Sequence, residues 1–190
     1  MVNAHYVTGQ RDASRVGDWM QTISGTMFYP LDPRPEEMDV YDIAHALSNL
    51  CRFGGHIRSF YSVAQHSVYV SLVVPQEHAL AGLMHDATEA YCVDMPRPIK
   101  QHLPAYEAIE ERLWLSIAER FRLPVELPPC VKDADNAVLL AEKQQLLARS
   151  PAPWSVNGEP APITIGVGMT PENARRAFLA RYAEIVGGML

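Results

Sequence analysis

A chain of 190 residues with 48% apolar and 20% charged side chains has room for one well-packed core, so a single domain over 1–190 is expected. The formal charge of -6 and isoelectric point near 5.6 argue against long nucleic acid or an anionic membrane surface as the main partner, since neither favours an acidic face. Three cysteines, Cys51, Cys92 and Cys130, without a CxxC pair argue against a disulfide framework and a thiolate zinc site, and fit a reducing cytoplasm.

In chain order, the N-terminal stretch "MVNAHYVTGQRDASRVGDW" has no apolar core of signal-peptide length, and no later window approaches the ~20 apolar residues of a membrane span. A soluble, cytoplasmic protein is expected. Residues 19–31, "WMQTISGTMFYPL", hold two short β-prone runs around Ser24-Gly25 and predict a small hairpin. In "DVYDIAHALSNLCRFGG", Ile43, Ala46, Leu47 and Leu50 share one stripe and Gly54-Gly55 stops it, which predicts a helix over about 39–51. "FYSVAQHSVYVSLVVPQ" has Ser62 and Gln65 at capping-box spacing and Pro75 at its far end. Its β-branched content would suit a strand, but the cap and the length favour a helix. Pro75 opens a further helix to about Tyr91, with Glu77 in its first turn and Leu80, Leu83, Met84 and Ala87 along one side.

The spaced prolines of "VDMPRPIKQHLP" predict an ordered loop carrying Arg97 and Lys100. Tyr106, Ile109, Leu113 and Ile117 mark a long amphipathic helix ending near Phe121, and "VKDADNAVLLAEKQQLLARS" supplies another. A short strand pair is expected at 154–156 and 163–167, and Thr170-Pro171-Glu172 caps and opens the last helix. The fold class is all-α, a mostly helical bundle of about six helices with minor hairpins near the N-terminus and within 151–170.

Within "LMHDATEAY" (83–91), His85, Asp86 and Glu89 occupy about a third of the helix circumference, opposite the apolar side. Solvated faces mix basic and acidic side chains, yet this helix has no lysine or arginine. The small residues Ala81, Gly82, Thr88 and Ala90 flank the polar side and would let another helix approach. Ionisable groups facing such a partner need a compensating charge, which a divalent metal supplies. The flanking helices offer His66 and, near the start of the helix at 131, Asp135. The set His66, His85, Asp86 and Asp135 offers two neutral nitrogens and two anionic oxygens, suited to one divalent transition metal: manganese, cobalt, zinc, iron or nickel. Asp133 competes with Asp135 and also reads as a helix cap. His78, seven residues before His85, reads as solvated.

The ordered pattern of His66, the His85-Asp86 doublet and Asp135 resembles the HD-domain metal-dependent phosphohydrolases. The blocks "CRFGGHIRSFYSVAQHS", "LMHDATEAYCVDMPRPIK" and "VKDADNAVLLAE" extend that resemblance over about 40–145. Among them it is similar to the bacterial 5′-deoxynucleotidases and the small phage dATP triphosphohydrolases. The resemblance implies that His66, His85, Asp86 and Asp135 bind the metal and that Glu89 is the acid/base. It makes Arg52 a phosphate ligand; because a phosphate ester needs converging cations, Lys100 is the second candidate, with Arg58, Arg97 and His56 as weaker ones. Asp94, eight residues after Asp86, matches an aspartate beside the catalytic water or sugar, though it also reads as a cap for the turn before Pro96. Phe53 stands where those nucleotidases carry a tryptophan that shapes the sugar pocket, a departure that weakens any expectation about the sugar.

The expected function is metal-dependent hydrolysis of a small nucleotide, releasing phosphate from a (d)NMP. One alternative is a dNTP triphosphohydrolase releasing tripolyphosphate; another, from a different class, is a non-catalytic metal- or nucleotide-binding module. Homo-oligomerisation is suggested by analogy alone.

Overall fold

The computed structural model describes residues 13–187, so the reading of the first twelve residues lies outside the described part. The hairpin forms where expected: β1 (Met20–Gln21) pairs antiparallel with β2 (Met27–Phe28), Met20 opposite Phe28. Its tip is tied to the bundle, because Asp42 of α1 (Val40–Asn49) accepts from the Ser24 amide at 2.9 Å and from its hydroxyl at 2.7 Å. Asp39 caps α1 through the Tyr41 amide.

After α1 the chain folds back on itself. Cys51 bridges Ser62, the Arg52 amide donates to the Tyr61 carbonyl at 3.0 Å, and Phe53 and Gly54 both adopt left-handed backbone with φ of 57° and 58°. This turn sets Arg52 beside Tyr61 at the head of α2 (Val63–Val73), which begins with the expected Ser62/Gln65 capping box. Helix α2 is the central rod. Val63, Ala64, His66, Ser67 and Val70 are all buried, because α1, α3, α7 and α8 surround it.

The expected helix from Pro75 to Tyr91 is broken. A 3-10 turn (Gln76–His78) leads into α3 (Ala79–Met84), residues 85–88 form turns, and α4 (Glu89–Cys92) follows. No proline or glycine causes the break. The His85 ring takes the Gly82 carbonyl at 2.8 Å, the acceptor that an unbroken helix would offer to the Asp86 amide. Three-residue bonds replace the helical ones: Ala87 to Met84, Glu89 to Asp86 and Tyr91 to Thr88.

Downstream, 93–103 is not wholly loop, since Arg97–Lys100 forms the single turn α5. The long helices α6 (Pro104–Phe121), α7 (Pro129–Leu146) and α8 (Pro171–Gly187) match their expected spans closely. Asp133 does not cap α7, which starts four residues earlier with Pro128 at the cap position; Asp133 is exposed on its surface. The strand pair expected at 154–156 and 163–167 does not form. That segment satisfies its backbone through side chains of two helices. Gln145 bonds the Ile163 carbonyl and the Ile165 amide, Tyr69 bonds the Thr164 carbonyl and the Gly166 amide, and Gln65 bonds the Gly166 carbonyl.

The core divides along α2. On one side Phe28, Ile43, Leu47, Leu83, Leu113, Ile117 and Phe178 pack together; on the other Val70, Val74, Ala81, Val131 and Val138 join α2, α3 and α7. Burying each such large side chain contributes about 1.5–3 kcal/mol. Gly82 fixes how closely α3 approaches α2: a Cβ there would lie 2.9 Å from Val74 Cγ2 and 3.2 Å from Ser71 Cα. That close approach brings His66 and His85 to a ring-centre separation of 5.2 Å.

Candidate metal centre and its cavity

Two histidines, from neighbouring helices, are held in the same tautomer. His66 Nδ1 lies 2.7 Å from Glu142 Oε1 and His85 Nδ1 lies 2.8 Å from the Gly82 carbonyl. Both partners are acceptors, so Nδ1 carries the hydrogen in each ring and Nε2 presents a lone pair. Each Nε2 is buried and makes no hydrogen bond. Asp135 Oδ1 stands 3.2 Å from His66 Nε2 and 4.0 Å from His85 Nε2; Asp86 Oδ2 stands 3.6 Å and 3.2 Å from the same two atoms.

His66, His85 and Asp135 form a group whose ligand atoms lie within 4.8 Å of one another and could hold a metal ion, and Asp86 adjoins it. Atoms bound at about 2.0–2.2 Å from one ion stand roughly 3–4 Å apart, the spacing found here. Two buried lone pairs facing two carboxylates are a repulsive arrangement unless a cation or a proton lies between them. The fit is therefore one of chemistry as well as distance.

The electrostatics describe the same demand. Burial and the nearby Arg52 oppose a charge on His66, but Glu142 and Asp135 outweigh them and lift its pKa to about 9. Burial penalises the Asp86 and Asp135 carboxylates too, yet His85 beside the first and His66 beside the second hold both well below the usual range. Without a metal, a proton on the imidazole takes the place of the cation.

Behind the histidines lies a fully buried carboxylate that the sequence reading did not identify. Glu142 accepts from His66, from the Tyr61 hydroxyl at 2.8 Å, and from Arg52 at 3.1 Å and 3.2 Å. Burial would raise its pKa, but Arg52 and His66 hold it down, so it stays ionised. A carboxylate on the far nitrogen of a metal-binding histidine fixes ring orientation and raises its basicity. The signal was present in the sequence: Glu142 is seven residues after Asp135, two turns along the same face of α7, within the apolar stripe of Val131, Ala134, Val138 and Ala141.

The remaining expected site residues are distributed unequally. Arg52 is buried and reaches Asp86 at 3.7 Å, but its guanidinium is already shared with Glu142. Phe53 does not line the cavity described below; Arg52 Cζ lies 5.3 Å from its ring, and Trp154, at 6.4 Å, is tilted against it. His56 is exposed at the end of the same turn and does not line the cavity described below. Asp94 follows Val93, whose φ of 65° is strained for a β-branched residue and whose carbonyl is held by the Tyr106 hydroxyl at 2.7 Å. Burial and Asp86 raise the Asp94 pKa against the pull of Arg52.

On the open side of the metal group lies a cavity of about 500 Å³, lined by His85, Asp86, Glu89 and Asp135 and walled by α6. The three-residue turn at 86–89 stacks Glu89 almost directly over Asp86. Burial, then Asp86 and Asp94, push the Glu89 pKa well above its ordinary value, and Oε2 is buried without a partner. Lys100 and Lys132 also line the cavity, but Lys100 is ion-paired with Glu110, and Lys132 with Asp135 at 2.6 Å. Among the described residues no helix is long and apolar enough to cross a membrane.

No family model matches the chain. It is 32% identical over 183 residues to the uncharacterized protein RCAP_rcc00048 of Rhodobacter capsulatus, an alignment spanning 86% of this chain and 93% of that one. It is 41% identical over 169 residues to the uncharacterized protein YfdR of Escherichia coli (strain K12), spanning 88% of this chain and 95% of that one. At that identity and coverage, the chain belongs to the YfdR family.

Proposed function

We propose that this chain is an HD-type, metal-dependent phosphohydrolase that releases inorganic phosphate from a nucleoside 5′-monophosphate. The observation that carries the reading is the pair of buried, unpartnered imidazole nitrogens facing Asp86 and Asp135, with His85 and both aspartates lining a cavity of about 500 Å³. His66, His85, Asp86 and Asp135 would hold the ion, drawn from manganese, cobalt, zinc, iron and nickel. A divalent ion bound there supplies Lewis acidity for attack of water on phosphorus.

The chain's own groups supply the rest. Burial and Asp86 raise the Glu89 pKa, which makes its carboxylate a stronger base than an exposed glutamate, so it can take a proton from water and deliver it to the leaving oxygen. Asp94 shares the raised pKa, lies within electrostatic reach of Asp86 and Arg52, and is the proposed partner of water or the sugar, although it is not among the residues lining the cavity. Arg52 adds positive charge behind Asp86.

The charge distribution favours a monophosphate over a triphosphate. Both lysines of the cavity are already engaged by carboxylates, so no cation among the described lining residues is left for a β- or γ-phosphate. The test is a panel of NMPs, dNMPs and dNTPs with manganese and with cobalt, scoring free phosphate against tripolyphosphate. Phosphate from monophosphates supports the reading, and tripolyphosphate from dNTPs replaces it with the triphosphohydrolase alternative. Glu89→Gln separates an enzyme from a binding module: the enzyme loses most turnover and keeps its metal.

A further inference from the structure

The cavity wall opposite the metal group is built from one face of α6, on which Glu107, Glu110, Glu111 and Trp114 follow one another at i, i+3, i+4 and i+7. At about 1.5 Å rise per residue this face runs roughly 10 Å along the cavity. Glu110 is neutralised by Lys100. Glu107 and Glu111 line the cavity, are exposed to it, and have no ion pair or side-chain hydrogen bond among the described residues. Trp114 is fixed beside them because its indole N–H donates to the Val125 carbonyl at 2.7 Å. The cavity floor carries the buried, unpartnered His85 Nε2, so the wall belongs to a site with an independent demand for a ligand.

From this juxtaposition we infer that the Glu107/Glu111 wall selects the base of the nucleotide, preferring bases with an exocyclic amino group over uracil and thymine; the inference rests on the nucleotidase reading. With the phosphate fixed at the metal group, the base end must occupy the rest of the cavity. An ionised carboxylate only accepts hydrogen bonds. Cytosine, adenine and guanine each offer it an amino group on the Watson–Crick edge. Uracil and thymine offer a single N–H between two carbonyl oxygens, which the carboxylates repel. The flat face of Trp114 provides a stacking surface indifferent to base identity, so discrimination falls to the two glutamates.

The test compares kcat/KM for CMP and UMP in wild type and in the Glu107→Gln/Glu111→Gln double variant, each loaded with manganese. The same two nucleotides are titrated calorimetrically onto manganese-loaded Glu89→Gln protein, with and without the double substitution. Loss of a discriminating hydrogen bond should lower the CMP:UMP ratio about three- to tenfold, because an amide can turn its donor toward the uracil carbonyls. An equal ratio in wild type, or a ratio that survives the double substitution, overturns the inference. If neither nucleotide is hydrolysed but CMP binds more tightly than UMP and that difference is lost with the glutamates, the wall selects the base and only the enzymatic reading fails. If neither binds, both fail.

Discussion

Replacing Glu142 by glutamine keeps the shape of the side chain and removes its charge. Three groups lose their common anion: His66 at 2.7 Å, Tyr61 at 2.8 Å and Arg52 at 3.1 Å. The amide can still accept one hydrogen bond, but its NH₂ must face either the His66 N–H or the Arg52 guanidinium, both of which donate. Arg52, only 8% exposed, keeps Asp86 at 3.7 Å as its nearest remaining ion-pair partner. Breaking a buried pair from one side costs about 3–5 kcal/mol. In a domain of this size each kcal/mol moves the melting temperature by about 2–4 °C, so Glu142→Gln should melt about 6–20 °C below wild type in chelator. His66 also loses the partner that orients it, and metal affinity should fall about 10–100-fold. Paired thermal melts with and without chelator, followed by calorimetric metal titration, read both effects. A variant that melts within about 2 °C of wild type would refute the view that these charges depend on one another.

Gly82→Ala pushes a methyl group against Val74 and the Ser71 backbone at 2.9 Å and 3.2 Å. The overpacking of about 1–3 kcal/mol outweighs the ~1 kcal/mol gained in helix propensity, so the urea midpoint should fall; an unchanged or higher midpoint would mean that α2 and α3 separate freely. Glu89 titrates above its unfolded value of about 4.3, so its contribution to stability is complete below that pH and is lost as pH rises through the raised folded value. Glu89→Gln suffers no such loss, and its melting advantage over wild type in chelator should grow from pH 5 to pH 8; a constant difference would contradict the raised pKa. Gln145→Ala removes both bonds that hold Ile163 and Ile165, at 3.0 Å and 2.9 Å, and limited proteolysis should cut faster within 151–170 while the bundle stays intact.

Where the sequence was readable, local chemistry and tertiary packing agreed. The Ser62/Gln65 cap, the apolar stripes of α1, α6 and α7, and the Thr170-Pro171 start of α8 each carry their own signal and form as expected. His85 was legible because the polar face that carries it has no lysine or arginine, and His66 and Asp135 because they supply an imidazole and a carboxylate on the flanking helices; the fold brings the three together. The break at 85–88 was not legible, since the donor that competes for the Gly82 carbonyl is the His85 side chain, while the apolar spacing of Leu80, Leu83, Met84 and Ala87 reads as one unbroken helix. The 151–170 segment misled for a related reason: Gln65, Tyr69 and Gln145 replace a partner strand, and a glutamine on a helix surface gives no sign of that use. Glu142 was overlooked because a charged residue in an apolar stripe is visible only when its distant partners, Arg52 and Tyr61, are considered with it.

Metal content is the most direct measure of whether the four side chains gather around a cation. Protein purified without chelator should carry about one divalent ion per chain by elemental analysis, and His66→Ala and Asp135→Asn should each lose nearly all of it while remaining folded by circular dichroism. Wild-type protein that takes up none of manganese, cobalt, zinc, iron or nickel, or folded variants that bind as much as wild type, would contradict the account.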